Sequence, residues 1–176
     1  MRFNYLLSLP AALLILAACG DSGRGPSPTS TGSPGLTTPA SAEAKFVVSA
    51  RSLSPEFGPE GLFTAKAPGW HSVRPPSYPE VVSIDFGAPR EVRILGLLAQ
   101  EGQAKRSPKA FRIEASHDGA AWTPVAGSDN ACTPNVKDGW HDIQFVRPAS
   151  ARHLRLVVFS NCGDGTLLTL RGLRIQ

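Results

Sequence analysis

Beyond residue 43 the chain alternates apolar and polar positions with a period of two, the spacing of strands rather than helices. Val82, Ile84 and Phe86 alternate with Val81, Ser83 and Asp85; Val92 and Ile94 flank Arg93; Phe111, Ile113 and Ala115 alternate with Arg112 and Glu114. Leu154, Leu156 and Val158 share one face of a segment from Arg152 to Phe159. Further strand patterns run over Lys45 to Ala50, Ala121 to Val125, Trp140 to Val146 and Leu167 to Ile175, giving eight in all. No stretch of twelve or more residues carries a helical stripe. Eight short amphipathic strands bury their apolar faces most simply as an antiparallel two-sheet sandwich, so the predicted class is all-β.

The links between these strands alternate in length. Ala88-Pro89, His117-Asp118-Gly119 and Arg147 to Ala151 are short, whereas Arg51 to Glu80, Glu101 to Pro108, Ala126 to Gly139 and Ser160 to Thr166 are long. If successive strands run up and down, every long link falls at one end of the sandwich. Loops held by a rigid scaffold are where binding residues usually sit, so this end is the predicted functional end. Cys132 and Cys162 lie in two of its links, and a disulfide between them is predicted. In an oxidising compartment it would add roughly 3 to 4 kcal/mol.

The first residues change the picture of where the domain works. Arg2 precedes an apolar run from Leu6 to Ala18, too short to span a bilayer, that ends in Leu16-Ala17-Ala18-Cys19-Gly20. This resembles the lipobox of bacterial lipoproteins. The resemblance implies a signal peptide over residues 1–18, cleavage before Cys19, and lipidation of that cysteine. Gly20 in place of Asp after the lipidated cysteine favours the outer membrane if the source is Gram-negative. From Gly20 to Ala42, eighteen of twenty-three residues are Gly, Ser, Pro or Thr, a composition that cannot bury a core. Residues 19–42 are thus read as the lipidated cysteine and a flexible tether of about 26 Å end to end, from roughly 5 to 6 Å times the square root of its length. The domain is assigned to residues 43–176.

Charge excludes little but removes one class of partner. The whole chain carries a net charge of +4 from 18 basic and 14 acidic residues. Without Arg2, Arg24 and Asp21 the domain retains 16 basic against 13 acidic residues, a small excess that does not call for nucleic acid.

Six segments run in order along the domain: SPEFGPEGLF (54–63), GWHS (69–72), VVSIDFGAPREV (81–92), FRIEASHDGAAWTPV (111–125), ARHLRLVV (151–158) and LLTLRGLRI (167–175). Together they resemble the discoidin, or coagulation factor 5/8 type C, family, the galactose-binding-like jelly roll shared by family 32 carbohydrate-binding modules. The resemblance covers the domain in order and implies an eight-stranded antiparallel jelly-roll β-sandwich. Many members hold a structural Ca²⁺ with an Asp near the position of Leu62-Phe63-Thr64 and an acidic residue on the last strand. Here those places read Phe63-Thr64 and Gly172-Leu173-Arg174, so no tight Ca²⁺ site is predicted, and no cofactor or metal. The family's frequent terminal cysteine pair is also missing, replaced by the internal Cys132 and Cys162.

Sugar sites pair an aromatic face with Arg, His, Asn and acidic groups that bond hydroxyls. The long links offer Trp70, His71, Arg74 and Tyr78; Gln103, Lys105 and Arg106; Asp129, Asn130 and Asn135; Trp140 and His141; and Asn161 and Asp164. Trp70 and Trp122 also suit a buried role. Ser116-His117-Asp118 are adjacent in a tight turn, where side chains diverge, and do not make a triad. His71, His141 and Asp142 have no metal-ligand spacing. The resulting expectation is a non-catalytic, lipid-anchored cell-envelope binding module, a monomeric domain exposed to the periplasm or cell surface, recognising a carbohydrate through its long-loop end. The alternatives are an envelope protein docked on the same loops and, third, phospholipid recognition by exposed apolar tips.

Overall fold

The computed structural model of the chain describes residues 46–65 and 68–176. The signal peptide, Cys19 and the tether lie outside the described residues. The alternating segments form β1 (Val47–Ala50), β2 (Trp70–His71), β3 (Glu80–Leu98), β4 (Pro108–Ser116), β5 (Thr123–Gly127), β6 (Trp140–Asn161), β7 (Thr169–Leu170) and β8 (Gly172–Ile175), with short 3-10 turns at Pro59–Thr64 and Ala104–Arg106. All pairing is antiparallel.

The frame is a long ribbon made by β3 and β6, paired from Glu80 opposite Val158 to Leu98 opposite Trp140. The first half of β3 and the second half of β6 belong with β1, β4 and β5, in the order β1-β3-β6-β4-β5. The second half of β3 pairs with the first half of β6 and, on its other side, with β8. The sandwich is therefore one ribbon bent over on itself, with strands added to each half. β2 and β7 form a separate two-stranded pair, Trp70 opposite Leu170 and His71 opposite Thr169.

One sequence expectation is corrected here. Ala88-Pro89 and Arg147 to Ala151, read as links between separate strands, are bends within β3 and β6. The ladder skips between Asp85 and Arg90, where Gly87 takes φ +76°, a left-handed conformation that side chains rarely adopt. Pro89 stands in this break, and Pro148 of β6 stands in a second one, between Val92 opposite Ala149 and Ile94 opposite Gln144; neither proline can donate to the ladder. Arg152 grips Asp85 across the bend through two hydrogen bonds of 3.0 Å. Because the bend turns the ribbon back over itself, the up-and-down parity of the links survives.

Val82, Ile84, Phe86, Leu95 and Leu97 of β3 join Ile143, Phe145, Leu154, Leu156 and Val158 of β6 in a single buried cluster with Phe111, Ile113 and Trp70. Burying such side chains contributes roughly 1.5 to 3 kcal/mol each. The period of two predicts the inward residues of 82–86, 111–115 and 154–158, but after Val92 the register shift flips the parity, so that Leu95 and Leu97 turn inward and Ile94 is half-buried.

Candidate functional site

Hydrogen bonds and one covalent bond tie the four long links together. Gly102 donates its amide to Asn135 Oδ1 at 2.8 Å, joining the link after β3 to the link after β5. Arg106 Nε meets Asp164 Oδ2 at 2.9 Å, and the Asp164 amide donates to the Lys105 carbonyl at 3.1 Å, joining the links after β3 and β6. Ser72 donates to the Leu168 carbonyl at 2.9 Å, which brings in the link before β3. Cys132 and Cys162 form the disulfide, with Cα atoms 6.0 Å apart.

The candidate residues divide by what surrounds them. Trp70 is fully buried, its indole Nε1 donating to the Ser52 carbonyl at 2.9 Å, so it packs the core and offers no stacking face. Asn161 is consumed by its own loop: Nδ2 donates to the Asp164 and Leu167 carbonyls, and Oδ1 accepts from the Gly163 amide. Trp140 lies under the Arg174 guanidinium, 4.6 Å from the ring centre, and Arg174 Nε meets Asp142 Oδ1 at 3.0 Å. It thus belongs to a stack running along β6 and β8. Gln103 caps a local turn through its amide to the Gln100 carbonyl, and Asn130 takes φ +62° with its amide on Ser128 Oγ.

His71, Arg74, Tyr78, Lys105, Arg106 and Asp164 gather on one side of the loop end. His71 stacks on Phe57, ring centres 4.1 Å apart, and is 7% exposed. Burial lowers its pKa, with the positive charges of Arg106 and Arg74 adding to the effect, so the imidazole is neutral at pH 7. Tyr78 is 37% exposed. Partial burial raises its phenol pKa, against the Asn161 backbone amide, with Glu80 and Asp164 also raising it. Asp164 is held well below the usual carboxylate range, first by the Thr166 hydroxyl and then by Arg106 and the Thr166 and Leu167 amides. Arg74 and Lys105 are exposed. On the other side, His141 Nε2 meets Asp129 Oδ2 at 3.1 Å, and the Asp129 pKa is lowered chiefly by the Ala131 amide.

Residues that sequence reading missed cluster on that second side. Arg171 lies 3.3 Å from Asp138 and 3.8 Å from Glu101, with its Nε and Gln100 Oε1 both buried. Among the described residues, six buried side-chain polar atoms have no partner within the protein: His71 Nε2, Gln100 Oε1, Thr133 Oγ1, His141 Nδ1, Thr169 Oγ1 and Arg171 Nε. All six stand in or beside the long links. Buried polar groups without a protein partner are exceptional, and a water, an ion or a ligand group is what completes them. No local signal in the sequence marks Gln100 or Arg171, which meet only through the fold.

The calcium common in the resembled family does not fit these residues. At Gly172, one of the places where the acidic residue would stand, the fit is tight: a Cβ would meet Trp140 Cη2 at 3.2 Å and the Leu62 carbonyl at 3.3 Å. Arg174, two residues on, brings a cation instead. Among the described residues no group of three or more His, Cys, Asp or Glu is placed to hold a metal. Ser116 Oγ lies 3.0 Å from Asp118 Oδ1 within a tight turn and His117 is exposed, so the adjacent trio forms a turn and not a catalytic relay.

Similar solved structures share this fold. A family 32 carbohydrate-binding module from Clostridium perfringens, solved with galactose, superposes with a TM-score of 0.62 at 16% identity, over 74% of this chain and 93% of that one. A chitosan-binding module from Paenibacillus sp. IK-5 gives 0.60 at 18% identity, over 75% and 95%. The family 32 module of AlyQ, solved with 4,5-unsaturated mannuronic acid, gives 0.59 at 17% identity, over 74% and 93%. No curated protein matches the chain. Residues 47–170 match the F5/8 type C domain, and with the bent-ribbon sandwich and its long-loop end the chain belongs to that family.

Proposed function

We propose that this protein is an exported, lipid-anchored and non-catalytic binding module that holds a carbohydrate at its long-loop end. The observation that carries the reading is the convergence there of His71, Arg74, Tyr78, Lys105 and Arg106 beside buried polar atoms that lack partners. Tyr78 supplies a half-open aromatic ring, and the cationic and imidazole groups supply hydrogen-bond donors for ring oxygens. Similar modules solved with galactose and with 4,5-unsaturated mannuronic acid support the ligand class. The lipobox-like Leu16-Ala17-Ala18-Cys19 supports the anchor, with the remaining residues before the domain serving as its tether. Affinity per site is low, and many anchored copies on one surface strengthen attachment.

A glycan array probed with the full-length protein in detergent, alongside a pull-down from envelope extract, tests this. Binding to a defined glycan set is expected, with Tyr78→Ala lowering affinity by up to about tenfold, the order of a lost stacking contact. A specific protein partner with no glycan signal would replace the reading with protein docking. Replacing Cys19 with Ala is expected to abolish incorporation of a labelled fatty acid.

A further inference from the structure

The carbohydrate site has open cationic donors and closed carboxylates. Asp164 receives the Thr166 hydroxyl at 2.6 Å and the Thr166 and Leu167 amides on Oδ1, and Arg106 on Oδ2. Glu80, fully buried, accepts the Ser52 hydroxyl at 2.7 Å and the Ser77 amide at 2.9 Å. The Asn161 side-chain oxygen is taken by Gly163. The donors are in the opposite state. Arg74 and Lys105 are exposed and, among the described residues, neither pairs with a carboxylate. Arg106 spends Nε on Asp164. His71 Nε2, on a side chain more than nine-tenths buried, has no partner within the protein and donates in one of the two neutral tautomers of the ring. A short path of hydrogen bonds connects these groups: Ser72, next to His71, bonds Leu168; Leu167 bonds Asp164; and Asp164 bonds Arg106.

Arg74 and Arg106 both lie close enough to His71 to act on its charge, and Lys105 precedes Arg106, while Asp164 and Glu80, the carboxylates beside Tyr78, are already saturated, although the domain as a whole is nearly balanced. The excess is local. A neutral sugar presents hydroxyls, each of which is a donor as well as an acceptor, and its donors would find few free acceptors here. An unmet buried donor loses its bonds to water without replacement. An oxyanion is acceptor only and matches guanidinium groups with charge-assisted, two-pronged hydrogen bonds.

We infer that the site takes an acidic glycan, in which a sugar ring carries an oxyanion, and that Arg74, Lys105 and Arg106 receive that group. The oxyanion is the carboxylate of a uronic acid or a phosphate ester, which present the same chemistry to these side chains. This inference rests on the carbohydrate reading above.

Galactose, galacturonate and galactose 6-phosphate share one ring and differ only at its sixth carbon, so they isolate the acid group. Titration calorimetry with the full-length protein in detergent is expected to give one or both acids an affinity at least about tenfold above galactose. The advantage should shrink several-fold between 50 mM and 500 mM salt as screening shortens the reach of exposed charges. Which acid binds more tightly identifies the source as uronate or phosphate. Lys105→Glu should bring the acid-to-neutral ratio toward one, whereas Lys105→Arg should preserve it, and equal melting temperatures for the two variants would show that both fold. Galactose bound as tightly as both acids would overturn the acidic preference and leave the carbohydrate reading standing. No binding of any glycan, on the array or in solution, would overturn both.

Discussion

The two ends of the sandwich treat polar groups in opposite ways. At the tight end the carboxylates of Asp85, Asp118 and Glu114 are answered at close range, and no buried side-chain polar atom among the described residues lacks a partner. Asp85 is gripped twice by Arg152, and the Asp118 carboxylate accepts the amides of Ala120 and Ala121 together with the Ser116 hydroxyl. Glu114, 4% exposed in its side chain, sits between Arg112 and Arg155, and Arg155 in turn covers the Trp122 ring 4.2 Å from its centre. At the long-loop end the carboxylates are answered, but cations are left over and buried polar atoms lack partners. Short turns close on themselves through local bonds. Long links instead depend on one another, and what they leave unsatisfied is the chemistry available to a ligand.

The strongest way to break this contrast is to cut the covalent tie at the loop end. Replacing Cys132 and Cys162 with Ser releases a loop closed across a separation of 30 residues, at a cost of about 3 to 4 kcal/mol. For a domain of this size that is a fall of roughly 10 °C or more in melting temperature. Hydrogen exchange should quicken first over 128–139 and 161–166 and leave the turn at 117–121 protected. Uniform loosening of both ends would show that the links are held mainly by the core beneath them. At the opposite end Glu114→Ala leaves two guanidinium groups without their shared carboxylate. Both arginines reach solvent, so the expected cost is about 2 kcal/mol, below that of a fully buried pair. Glycan affinity should stay within twofold of the parent, and a larger loss would tie the tight end to binding.

The architecture was readable to the extent that it depends on spacing. Link lengths alone assigned Arg51 to Glu80, Glu101 to Pro108, Ala126 to Gly139 and Ser160 to Thr166 to one end, and the Cys132–Cys162 bond and the Arg106–Asp164 pair join three of them there. The bends at Gly87 and Pro148 were misread as links because a turn and a kinked ribbon interrupt alternation identically; only the partner strand distinguishes them. Trp70 could not be sorted by pattern either. Its role depends on the Ser52 carbonyl 18 positions away, which accepts the indole N–H in the core. Arg171 was invisible for the same reason: its carboxylate neighbours, Glu101 and Asp138, approach only after the strands have paired.

Acid sharpens the comparison by a smaller effect. In the folded protein the Arg152 hydrogen bond, with help from the Gly87 amide, lowers the Asp85 pKa to about 2 from the ordinary 3.8. The unfolded chain lacks Arg152 at that distance and takes up its proton near the ordinary value. The folded state therefore gains from this carboxylate at pH above about 4, and the gain disappears as the pH falls through the interval down to about 2. Asp85→Asn removes one step of this titration and keeps the shape of the side chain. Its melting temperature should lie below the parent's at pH 7, and the two should converge between pH 4 and pH 2 because the parent alone loses this contribution there. The side chain is partly open to water, so the gap at neutral pH is small, on the order of 1 kcal/mol or less. Parallel melting curves across that interval would mean that Arg152 answers the charge of Asp85 no better than water does, and that the bend is held by Gly87 and the ladder alone.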